Sequence, residues 1–144
     1  MRPLLLTFCA VTSIISATLL TACQGTSAAT NNSPAAAAPA NVSEVTTVAD
    51  FDQRISRAKT PVVVDCYATW CEPCSMLSPE LDAVAAAHVT SLTVLRVDVD
   101  RVPELAQRYH AEAIPLLVLI KQGAVASQQV GYQNRAQITN WLGL

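Results

Sequence analysis

Residues 61–79 read PVVVDCYATWCEPCSMLSP. The first seven, from Pro61 to Tyr67, form a β-branched run that is apolar on both faces. Such a run suits a central strand of a sheet covered on both sides, not a half-exposed one. The pattern then changes abruptly. Trp70-Cys71-Glu72-Pro73-Cys74 opens a segment in which Leu77, Leu81, Val84, Ala85 and His88 recur at helical spacing. Two cysteines three apart at a helix start place both sulfurs on one side, close enough to bridge. The first then faces unpaired backbone N–H groups and the positive end of the helix dipole, which favours the thiolate needed for disulfide exchange. Pro73 fits an early helical position, where no N–H donor is needed. Pro79 inside the same helix predicts a kink.

Outward from this stretch the chain alternates. Residues 45–48 are a short strand candidate. Asp50 is a plausible N-cap for a helix whose apolar face is Phe51, Ile55 and Ala58. Residues 92–99 read as a strand, and Val102, Leu105, Ala106 and Tyr109 stripe a further helix. Residues 115–120 and 124–130, joined across Gln122-Gly123, suggest a hairpin. Ile138, Trp141 and Leu142 mark a terminal helix. The expected order is β-α-β-α-β-α-β-β-α, an α/β fold with a mixed central sheet flanked by helices.

At this point a resemblance enters. The segment from Asp65 through Trp70-Cys71-Glu72-Pro73-Cys74 to Pro79 resembles the active-site segment of the thioredoxin family. Ala113-Ile114-Pro115 is similar to that family's cis-proline loop, and Gly131 stands near the end as expected. The resemblance runs from Val45 to the C-terminus and implies a thioredoxin-like fold with thiol–disulfide oxidoreductase activity. It implies Cys71 as nucleophile, Cys74 as resolving thiol and Asp65 as a buried proton acceptor. Pro115 is then the cis-proline that presents backbone to an extended substrate, with Ile114 and Trp70 bordering the same groove. Departures bear on redox potential and partner choice. The dipeptide is Glu72-Pro73 where thioredoxin has Gly-Pro, Ser75 replaces a frequent Lys, and Leu116 follows the cis-proline where Thr is usual. Arg96 stands where a Lys often accompanies the buried Asp, and Cys66 replaces a usual aromatic.

Other readings of the same residues stay in view. As half a zinc site, the cysteine pair lacks a second pair, and His88, His110 and Cys66 have no ligand spacing to it, so no metal is expected. As a structural disulfide, it closes too short a loop to constrain the unfolded chain much. Asp65 could be a surface residue of an edge strand. If buried within its valines, it would have a raised pKa and hold a proton near neutrality. Cys66 reads as a small core residue. Trp70 either packs or shields the thiols.

Composition bounds the rest. Of 144 residues, eleven are acidic and nine basic, for a net charge of −2, and no basic surface suggests a nucleic-acid partner. Between Arg2 and Glu44 there is no charged residue or histidine, so from residue 44 onward the chain carries −3. Residues 1–22 have a short positive start and an apolar stretch, the layout of a secretory signal. Their end, Leu20-Thr21-Ala22-Cys23, resembles the bacterial lipobox, which implies cleavage before a diacylated Cys23. An ordinary signal cut nearby, or an uncleaved anchor helix of marginal length, are the alternatives. Residues 23–43 then serve as a lipidated cysteine and flexible tether, with an r.m.s. span of roughly 25 Å, and 44–144 form the folded domain. The expected location is the cell envelope, on a bacterial membrane facing the periplasm or the exterior. The expected partners are protein disulfides as substrates and a dithiol electron donor, membrane-embedded if the domain lies outside the cytoplasm. A monomer with no soluble cofactor is expected, since neither a dinucleotide fingerprint nor a phosphate loop occurs. A disulfide oxidase or isomerase, and a noncatalytic binding module, are the competing functions.

Overall fold

The computed structural model describes residues 37–144. The expected leader and most of the expected tether, Cys23 included, lie outside the described residues. The elements follow the expected order: β1 (Val42–Val45), α1 (Val48–Arg57), β2 (Val62–Tyr67), α2 (Glu72–Ala87), β3 (Thr93–Asp98), α3 (Pro103–Arg108), β4 (Leu116–Lys121), β5 (Ala124–Val130) and α4 (Arg135–Leu142). The five strands form one sheet in the order β1-β3-β2-β4-β5. β3 runs parallel to both β1 and β2, whereas β4 is antiparallel to β2 and to β5. The valine run is therefore the middle strand, as its two-sided apolarity requires.

Alternation along β2 sends its side chains to two separate cores. Val62, Val64 and Cys66 join Phe51 of α1, Leu105 of α3 and Tyr109 on one face. Val63 joins Leu77, Leu81, Val84 and Ala85 of α2 and Ile138 and Leu142 of α4 on the other. The β4–β5 turn carries positive φ at both Gln122 (54°) and Gly123 (79°), the twist that a two-residue hairpin between right-twisted strands needs. α2 runs on through Pro79, whose missing N–H leaves the Ser75 carbonyl without its usual helical donor.

The N-terminal boundary differs from expectation. The first strand is Val42–Val45, and Val48 already belongs to α1. Thr47, not Asp50, is the N-cap: its Oγ1 accepts the Asp50 N–H at 3.1 Å. Asp50 instead pairs with Arg54 one turn on, at 2.8 Å. Residues 42 and 43, assigned above to the tether, pair with Val94 and Leu95 of β3. Asn41 donates to the Ala85 and Leu92 carbonyls at 2.9 and 2.8 Å. Residues 42 and 43 carry no charge, which made the start of this edge strand resemble the segment before it.

Candidate active site

β2 ends at Tyr67 and α2 begins at Glu72, so the cysteines fall where a central strand hands the chain to a helix. Cys71 is the N-cap of α2, and Pro73 occupies its first turn. The Cys71 sulfur accepts the Cys74 N–H at 3.3 Å, the contact expected of a sulfur facing unpaired helix-start donors. The two sulfurs are joined in a disulfide with an S–S distance of 2.06 Å and Cα atoms 5.2 Å apart. Both cysteines are nearly enclosed, at 5% and 3% exposure. Ala68 packs with them, and the half-buried Ile114 closes the cluster from the loop before β4. An open depression of about 270 Å³ reaches them between Tyr67, Thr69, Ser75 and Ser78.

The other residues singled out in the sequence converge on the same end of the sheet. The Ile114–Pro115 peptide bond is cis. Pro115 is buried, and its carbonyl accepts the Gly131 N–H at 2.8 Å. Gly131 adopts φ +87°, a backbone region that favours glycine. Trp70 does not pack into the core. It is 70% exposed, with its indole N–H donated to Asp100 Oδ2 at 2.7 Å. Glu72 is exposed on the first turn of α2.

Asp65 is only 1% exposed, on the middle strand, which removes the reading of it as an edge-strand surface residue. It points to the α2 side of the sheet, with Arg96 opposite it on β3 and Leu117 on β4. Its Oδ2 lies 3.5 Å from Arg96 Nε, and its Oδ1 is buried without a hydrogen-bond partner. Burial, opposed by Arg96 and reinforced by the negative charges of Glu44 and Asp82, pushes the carboxyl up to about 6. Cys66, one residue on, faces the opposite core. Burial, then the neighbouring Asp65, pushes its thiol up to about 12, so it stays an inert core residue near neutral pH.

A sequence profile of the thioredoxin family matches residues 42–143. The chain belongs to the thioredoxin family. A thioredoxin of Alicyclobacillus acidocaldarius is 41% identical over 92 residues, spanning 64% of this chain and 87% of its own length. A thioredoxin-like protein of Synechocystis is 37% identical over 94 residues, spanning 65% and 90%. Thioredoxin of Mycobacterium tuberculosis is 39% identical over 92 residues, spanning 64% and 79%. With its closed Cys71–Cys74 pair at the head of α2, this thioredoxin-family chain is a thiol–disulfide oxidoreductase.

Three contacts around the site were not foreseen. Asp82 holds Arg96, Glu44 accepts the Tyr67 hydroxyl, and Asp100 holds Trp70.

Proposed function

We propose that this oxidoreductase reduces or interchanges protein disulfides outside the cytoplasm, held to a bacterial membrane by lipid on Cys23. The observation that carries the chemistry is the Cys71 sulfur capping α2, the helix that follows the strand carrying a buried carboxyl pushed up to about 6. Cys71 thiolate attacks the substrate disulfide, bonds one sulfur and releases the other as a thiolate. Cys74 then passes its proton to Asp65, its sulfur bonds the Cys71 sulfur, and the second substrate thiolate leaves with the electron pair. The substrate lies extended against the backbone of Ile114 and Pro115, with Trp70 at the rim. The cycle leaves the Cys71–Cys74 disulfide, which a partner dithiol, membrane-embedded in this setting, must reduce.

The Glu72-Pro73 dipeptide supports the reducing direction. The Glu72 carboxylate opposes the helix dipole that stabilises the Cys71 thiolate. For an exposed pair roughly 7 Å apart at an effective dielectric of 40–80, the repulsion is about 0.6–1.2 kcal/mol. Raising the energy of the reduced form favours the disulfide, so Glu72→Gln should raise the potential by about 10–25 mV, less in high salt. In the wild type, a potential near about −270 mV with insulin reduction by dithiothreitol fits a reductase. A potential near about −120 mV would make the protein an oxidase, and no insulin turnover would leave a binding module. A Glu72→Gln potential that stays put or falls would reduce Glu72 to a good first-turn helix residue.

The membrane reading rests on Leu20-Thr21-Ala22-Cys23 at the end of a leader that carries no charged side chain after Arg2. The mature wild type should begin at Cys23 and partition into detergent. Cys23→Ala should move to the aqueous phase with unchanged circular dichroism and dithiol activity. A wild-type chain that stays aqueous, or a mature N-terminus elsewhere, rules out the lipid anchor.

A further inference from the structure

The residue that faces Asp65 most directly does not engage it fully. β3 lies between β1 and β2, so Arg96 stands opposite Glu44 on one side and Asp65 on the other. A guanidinium beside a buried carboxylate ordinarily forms two parallel hydrogen bonds of about 2.7–2.9 Å. Here Arg96 Nε and Asp65 Oδ2 are 3.5 Å apart, and both Nε and Asp65 Oδ1 are buried without a hydrogen-bond partner. The guanidinium is engaged elsewhere. Its Nη2 donates to Asp82 Oδ1 at 3.0 Å and to the Ser78 carbonyl at 3.4 Å, both on α2. Asp82 keeps 28% of its side chain in water, so it holds the cation without the desolvation that Asp65 suffers. Glu44 does not compete, since it is taken up by the Tyr67 hydroxyl. β4 presents only Leu117 to Asp65, and α4 adds Ile138 and Leu142 to that core, without charge.

We infer that Asp82 is a positioning residue: it holds the Arg96 guanidinium back from a close hydrogen-bonded pairing with Asp65, leaving only the looser ion pair, and thereby sets the pH at which that carboxyl exchanges its proton. The inference rests on the proposed role of Asp65 as proton acceptor for its kinetic consequence, but its structural part stands apart from that role. With Asp82 gone, Arg96 is free to close on Asp65. An opposite charge in hydrogen-bond contact holds a carboxyl ionised, lowering its pKa by about 1–3 units. A permanently ionised Asp65 would accept a proton from Cys74 less well at neutral pH, because proton transfer is most efficient when the acceptor titrates near the operating pH.

The test is the titration of the Asp65 carboxyl carbon by NMR in the reduced protein, alongside the pH dependence of disulfide resolution. Asp82→Asn and Asp82→Ala should lower the Asp65 midpoint by about one unit or more, and Asp82→Glu should restore it. Arg96→Gln should raise the midpoint. In the Arg96→Gln background, the effect of Asp82→Asn should shrink to less than half, because only direct repulsion between the carboxylates then remains. An undiminished effect in that background would show that Asp82 acts by its own charge alone, and an unmoved midpoint in both Asp82 variants would overturn the inference outright. If the midpoint moves but the rate profile does not follow, the positioning by Asp82 holds and Asp65 is not the proton acceptor.

Discussion

Cys74→Ser should convert this oxidoreductase into a trap. Cys71 keeps its place at the head of α2 and still attacks a substrate disulfide. The serine hydroxyl has no sulfur to offer the mixed disulfide, so the covalent adduct persists. Nonreducing gels of envelope extracts should show a ladder of adducts that collapses on adding reductant, and steady-state insulin reduction should fall to the uncatalysed rate. Cys71→Ser should trap none. The asymmetry follows from geometry: Cys71 caps the helix and accepts the Cys74 N–H, whereas Cys74 lies one turn in. Equal trapping by the two variants would mean that the roles of the cysteines are misassigned.

Asp65→Asn should slow turnover about 10- to 100-fold at neutral pH, the low end of general-base effects, with the fold intact. Its pH profile should also change shape. With the carboxyl pushed up to about 6, the wild-type resolution rate should rise as pH passes that value and then level off. The asparagine variant should lack this limb, and equal rates for the two proteins across pH 6–8 would remove Asp65 from the mechanism. Stability should move the other way. An Asp in the unfolded chain loses its proton near its ordinary value of 3.8, while the folded carboxyl keeps its proton until about pH 6. Between those values the native state binds more protons, so the wild type loses stability as pH rises through this window. The loss amounts to about 3 kcal/mol. Asp65→Asn should therefore be the more stable protein at pH 7, and the difference should vanish below pH 4 in urea titrations. A wild type no less stable than the variant at pH 7 would mean that burial does not disfavour the anion.

Much of this was legible in the sequence for local reasons. A β-branched run bounded by proline can hardly be anything but a covered strand, and a cysteine pair at a strand-to-helix junction announces its chemistry through spacing. The buried state of Asp65 followed from its valine neighbours. What escaped detection depends on register between distant segments. Arg96 meets Asp82 across 14 positions, Trp70 meets Asp100 across 30, and Tyr67 meets Glu44 across 23. No periodicity within one element encodes these pairs, because they depend on which strand lies beside which. The start of β1 escaped for another reason: Val42 and Val45 face different cores, so the strand shows no alternation at all.

The position of β2 between β3 and β4 has a consequence for how the molecule fails. A strand hydrogen-bonded on both sides and covered on both faces opens only when the whole domain opens. Asp65, Cys66 and the approach to Cys71 all lie on that strand or leave from it. Fraying at the edges of the sheet therefore leaves the redox pair intact and the third thiol sealed. Global unfolding under reducing conditions releases the three thiols of the described residues at once, and Cys66, inert until that moment, becomes free to pair wrongly. Mispairing through Cys66 should accordingly follow complete unfolding of the domain and not fraying at the edges of the sheet.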